Sequence, residues 1–249
     1  MAKLIQNQIT DIDTTDSSWK SLYKIAGVAV LIAVLLMLLD IIATIVSKEA
    51  IEFGTFNATN WFTIFHNNWF SGLRNLGLFN VLEMTLTVPM FFALYATHRH
   101  VNKTYAALAM ILSLVGMAIY ISNNAAVPML VLSGKYAAAT DAQKSLLAAA
   151  GEALLARGED FTPGAFMGFF LGEIANITIA FVMLRGRIFS KVTAYTGIIG
   201  VTLLTAYTIC ATFIPALQGV AMIFAMIGGP LSTVWSILIA RRLFQLGRR

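Results

Sequence analysis

Three carboxylic acids stand inside long apolar runs: Asp40, Glu83 and Glu173. An ionised side chain at the centre of a bilayer costs on the order of 2.5–3.5 kcal/mol by insertion scales, so such groups persist where they are partnered or where they work. Amides accompany them. Asn80 lies three residues before Glu83 and Thr87 four after it, which puts all three on one helix face. Asn176 follows Glu173 at the same three-residue spacing, and Asn123-Asn124 interrupts another apolar run. No Lys, Arg or His falls within the runs, so none of these acids has an opposite charge at hand there. The chemistry left to them is to hold or share a proton, to accept from amide N–H groups, or to bind a cation or cationic ligand. Gly228-Gly229-Pro230 sits in the middle of a further run, where a helix break would free carbonyl groups to line a cavity. The competing role for all these groups is interhelical hydrogen bonding, at about 0.6 kcal/mol per bond.

The elements that must position them are transmembrane helices. Of 249 residues 58% are hydrophobic and only 12% charged, with a mean hydropathy of +0.78, whereas a soluble domain carries roughly 25% charged residues. Apolar runs of about twenty residues recur, and none alternates with the period of a membrane strand. The expectation is an all-α polytopic six-helix bundle, with spans at about 25–46, 77–97, 105–132, 164–184, 192–217 and 219–240. Residues 1–24 form a cytoplasmic leader and 241–249 a basic cytoplasmic tail. Cys210 is the single cysteine, which excludes an intrachain disulfide.

The first and third outer loops are each expected to carry an interfacial helix. In the first, Asn60 serves as N-cap and Trp61, Phe62, Phe65, Trp69, Phe70 and Leu73 form the apolar side, leaving His66 and Arg74 on the polar side. In the third, Thr140 and Gln143 make a capping box for Asp141–Arg157. Gly164, Gly168 and Gly172 recur every four residues and allow another backbone to approach closely. Twelve Lys and Arg lie on the side of the two chain ends and five on the other, so the positive-inside rule puts both termini in the cytoplasm. With that orientation, Asp40, Glu83, Asn123, Asn124 and Glu173 share one level, roughly 9–14 Å from the outer ends of their helices at 1.5 Å per residue.

Absences narrow the chemistry. Without a histidine in the expected spans a buried bis-histidine haem is disfavoured, and without a lysine so is a retinal Schiff base. The motifs of serine hydrolases, zinc proteases, phosphate-binding loops and dithiol redox centres are missing. Basic residues cluster at helix ends, where they suit anionic lipids and not nucleic acid.

At Val101-Asn102-Lys103-Thr104-Tyr105-Ala106-Ala107, and again at Gly186-Arg187-Ile188 leading to Gly197 and Gly200, the chain resembles a family of bacterial six-span proteins known as domain of unknown function 4386. Its Phe189-Ser190 stands where members often have a proline. The resemblance covers roughly residues 25–242, implies a bacterial inner membrane and brings no activity or site residues.

The functional expectation is an outward-facing intramembrane cavity that binds a cation, a proton or a small amphiphilic ligand, in a transporter- or sensor-like protein. Asp40, Glu83 and Glu173 would carry charge, with Asn80, Asn123, Asn124 and Asn176 orienting it and Gly228, Gly229 and Pro230 lining the cavity. Two other classes compete: an accessory subunit of a larger membrane complex or homo-oligomer, and a membrane enzyme pairing carboxylates with a metal.

Overall fold

A computed structural model describes residues 17–47 and 57–248; the expected leader before Ser17, residues 48–56, where the expected first outer loop begins, and Arg249 lie outside the described residues. Among the described residues the chain is all-helical: α1 (Ser17–Ser47), α2 (Ala58–Asn67), α3 (Trp69–Asn75), α4 (Leu78–Asn123), α5 (Ala126–Ala137), α6 (Asp141–Gly158), α7 (Pro163–Gly186), α8 (Lys191–Phe213) and α9 (Gln218–Arg248), with a 3-10 turn at Pro215–Leu217. Five helical stretches are long and apolar enough to cross a membrane. Their outward faces are apolar as well, with Ile45, Val46 and Met226 each more than 70% exposed. Apolar surface on that scale is what a helix presents to lipid.

The 46 residues of α4 would reach about 69 Å if straight, more than twice the hydrocarbon core. They do not run straight. Asn102 leaves helical geometry at φ −155°, ψ 91°, and its side chain accepts from the Tyr105 N–H to start the next turn. The two ends of α4 then meet: Asn124 Nδ2 donates to the carbonyl of Leu76 at 2.9 Å. α4 is therefore a helical hairpin with arms Leu78–Val101 and Lys103–Asn123. His98, one residue past the expected end of the second span at 97, is part of the first arm and fully buried, stacked on Phe189. α1, α4, α7, α8 and α9 pack in a closed ring. Both ends of the described chain lie together, with the Arg99 guanidinium 5.0 Å from the Trp19 ring and Gly247 against Lys20 and Lys24.

The third apolar run, expected as a span from Tyr105 to Leu132, is not one continuous helix. The second arm stops at Asn123, and α5 begins at Ala126, whose N–H is capped by Asn124 Oδ1 at 3.1 Å. Pro128 falls in the first turn of α5, where a missing N–H costs no hydrogen bond. α5 leaves the bundle and packs with α2, α3 and α6 around a second core of Trp61, Phe62, Phe65, Met129 and Leu155. α2, α3, α5 and α6 thus bury their apolar stripes against each other and cap one end of the bundle. The N-cap of α2 is Asn57, reciprocally bonded with Asn60, and Gln143 Oε1 accepts from Thr140 N–H at the start of α6.

The break expected at Gly228-Gly229-Pro230 does not occur: α9 runs through it as helix. A proline deletes a single N–H, and Gly228 is needed as a small residue, since a β-carbon there would sit 2.9 Å from the Gly200 carbonyl oxygen. Gly116 and Gly168 do the same for α4 and α7. A β-carbon on Gly116 would lie 2.8 Å from the Gly168 carbonyl, and one on Gly168 2.7 Å from Tyr120 Cβ. Gly168→Val should cost roughly 1–3 kcal/mol through overpacking. Gly172→Val, where an added β-carbon meets nothing within 4 Å, should melt close to wild type; thermal unfolding in detergent compares the two.

Candidate functional site

Beneath the cap lies a cavity of about 520 Å³. α1 contributes Asp40 and Thr44, α3 contributes Arg74 and Asn75, and the first arm of α4 contributes Asn80 and Glu83. The turn before α7 supplies Asp160 and Phe161, α7 supplies Phe169 and Glu173, and α8 supplies Tyr207 and Thr208. Three acids and one amide named from the sequence, Asp40, Glu83, Glu173 and Asn80, thus face one space.

Each acid has a different environment. Asp40 is paired with Arg74, whose Nη1 lies 3.2 Å from Asp40 Oδ1 and 2.9 Å from Thr44 Oγ1. Arg74 was expected on the polar side of an interfacial helix. Asn68 ends α2 and caps α3, and the new helix buries Gly72, Leu73 and Arg74 while Trp69 and Phe70 turn outward. The charge absent from the spans therefore comes from a loop. Asp160 accepts from Tyr120 Oη at 2.6 Å and from Asn80 Nδ2 at 2.7 Å. Two donors on a buried carboxylate, at roughly 1.5–3 kcal/mol each, offset much of its desolvation. Glu173 Oε1 accepts from Thr208 at 2.6 Å, while its Oε2 is buried without a hydrogen-bond partner among the described residues. Glu83 makes neither an ion pair nor a hydrogen bond among the described residues.

Glu83 also lines a second cavity of about 220 Å³ with Asn176, Thr87, Ser232, Thr233 and Ser236. Glu83 and Asn176 therefore share that space, and Asn176 Oδ1 is another buried acceptor without a partner among the described residues. Asn123 and Asn124 line neither cavity. Asn123 bridges the Gly164 carbonyl and Arg157 Nε, and Asn124 ties Leu76 to Ala126, so both hold helix ends. Gly228, Gly229 and Pro230 line neither cavity, because that stretch packs its glycine on α8.

Sequence reasoning missed Asp160, Tyr120 and Arg74. Asp160 sits in Gly158-Glu159-Asp160-Phe161-Thr162-Pro163, one turn ahead of a span and close to its glycine row, a placement that could have drawn attention to it. Phe161 holds a left-handed backbone at φ 62°, unusual for a bulky residue. Its ring is fixed between Phe169, stacked at 5.9 Å, and Tyr207, edge-on at 5.1 Å. One wall of the cavity is consequently aromatic. Among the described residues no three His, Cys, Asp or Glu side chains are grouped so as to hold a metal ion.

Fold and surface together define an all-helical integral membrane protein that enters a lipid bilayer. The chain belongs to the family described as Domain of unknown function (DUF4386), whose model matches residues 25–240. No curated protein and no solved structure matches it. The stretches that carry the family resemblance are packing positions: a β-carbon on Gly186 would press on Val101, one on Gly197 on the Trp235 ring, and one on Gly200 on the backbone at Ser232.

The Arg74–Asp40 pair joins cap to bundle. Asp40 keeps 37% of its side chain exposed and Arg74 only 5%, so removing the arginine strands a half-buried carboxylate. Arg74→Met should cost roughly 1–3 kcal/mol in detergent unfolding. Adding Asp40→Asn should recover part of that loss, because no unpaired charge then remains.

Proposed function

We propose that the cavity beneath the cap binds a small positively charged solute, and that the protein works as a transporter- or sensor-like component of the bacterial inner membrane. The observation that carries this reading is the charge inventory around one space. Four carboxylic acids face it against a single guanidinium, and that guanidinium is committed to Asp40. Hydrogen bonds account for Asp160. Glu83 and Glu173 are left as the groups that gain most from a cationic guest, which would supply the opposite charge the chain withholds. The aromatic wall of Phe161, Phe169 and Tyr207 suits a guest with an apolar portion or a cation held over a ring face.

In this reading the two arms of α4 are separate spans, which makes six. The chain ends lie in the cytoplasm, because the basic residues gather at that end, and the cap and its cavity face outward. A second reading, an accessory subunit of a larger membrane complex, draws on Trp69 and Phe70. These are 59% and 45% exposed on the cap, where they could meet a partner chain.

Native mass spectrometry of the detergent-purified protein, wild type beside Glu83→Gln, separates the readings. A small cation retained by wild type and lost from the variant is the expected result. The thermal midpoint should stay near wild type, since the amide removes a charge without removing a partner. Wild type and variant both bare would end the cavity reading, and co-purified subunits unaffected by the variant would favour the second.

A further inference from the structure

At the end of the bundle where the chain ends meet, a recess of about 310 Å³ opens between the α7–α8 turn and α9. Arg187, Arg241 and Arg242 all line it, and none of its described lining residues is acidic. The positive-inside rule asks only for net charge near this end of the helices and is indifferent to whether guanidinium groups gather at one recess. Here they gather at one recess. Arg187 is the C-cap of α7 in the left-handed region at φ 55°, a position that favours glycine, while the adjacent Gly186 is helical and buried against Val101. Arg242 is held in place: its Nε donates to the Ile188 carbonyl at 2.7 Å and its Nη1 to Gln245 Oε1 at 3.1 Å. Ser190 and Thr193, also in the lining, form the capped first turn of α8, a helix of 23 residues.

Guanidinium groups present planar paired donors that match phosphoryl oxygens, and the start of a long helix adds favourable potential for an anion. We propose that this recess is a phosphoryl-binding site formed by Arg187, Arg241 and Arg242. Its guest is the headgroup of an anionic phospholipid or a soluble phosphate compound, which offer the same chemistry. The site is independent of the cavity beneath the cap, and either can fail without the other.

The test is native mass spectrometry of the full chain in detergent, titrated with phosphatidylglycerol, with phosphatidylcholine of the same acyl chains, and with inorganic pyrophosphate. The wild type should prefer phosphatidylglycerol over phosphatidylcholine. Arg187→Gln/Arg241→Gln should weaken that binding about tenfold or more, as expected for lost charged hydrogen bonds. Lys103→Gln/Arg185→Gln removes the same charge from the same end and should weaken it by less than about threefold, as general surface potential. Displacement of the lipid by pyrophosphate would point to a soluble phosphate compound as the guest, and lipid binding that pyrophosphate leaves intact would point to the headgroup. Equal losses in the two double variants overturn the proposal, as does a wild type that shows neither anionic-lipid preference nor a pyrophosphate adduct. Arg187→Gly guards against a folding artefact. It relieves the left-handed backbone, so it should melt at or above wild type while binding falls; full binding in that variant would also sink the site.

Discussion

In hydrocarbon the backbone has no water to turn to, and each amide left unpaired there costs several kcal/mol. Helices are the immediate consequence. The less obvious one is that every place where a helix must stop needs a side chain to take over its hydrogen bonds. Asparagine does much of that work here. Asn57 opens α2, Asn68 separates α3 from it, Asn102 restarts the helix after the bend in α4, and Asn124 closes the hairpin against Leu76. Without the bend at Asn102 and the tie at Asn124, the two arms would not lie side by side, and Tyr120 would not reach Asp160.

The same constraint sorts the acids. A carboxylate drawn from water is stable only with donors or an opposite charge, and the chain supplies these unevenly. Among the described residues Asp40 has an arginine from the cap, Asp160 a phenol and an amide, Glu173 the Thr208 hydroxyl, and Glu83 no ion pair or hydrogen bond. A polar group placed purely as interhelical glue would be expected to show its partner, as Asn123 and Asn124 do. The gradient from satisfied to unsatisfied across one cavity is the reason the proposed site centres on Glu83 and Glu173.

The cap changes how the cavity is enclosed. Its core is built from large rings, Trp61, Phe62 and Phe65, packed on Met129 and Leu155. Glu152 Oε1 accepts from the first N–H of α2 at 2.7 Å, which binds α6 to α2. Arg74 then fastens this unit to α1. Loops that look separate along the chain form one lid over the acids.

Much of the fold was legible in the chain. Apolar runs of span length announce helices wherever water is excluded, because only the helix satisfies its own backbone locally. Acids within such runs are conspicuous for the same reason, and Asp40, Glu83 and Glu173 could be picked out one by one. Local chemistry does not extend to whatever depends on another segment. Asn123 and Asn124, expected at the depth of the acids, serve helix ends instead, because the arm stops at Asn123 while the apolar run continues past it. Gly228-Gly229-Pro230 reads as a break, but a continuous helix results when the neighbouring helix needs the small residue and the proline forfeits one bond. Arg74 reads as a surface charge because only the turn at Asn68 aims it inward. By itself the sequence determined that the chain is helical, belongs in a bilayer and carries buried acids, all consequences of hydrophobicity acting on contiguous residues. Tertiary structure alone decided which acids are neutralised, because that depends on partners tens of residues away brought close by the hairpin and the cap.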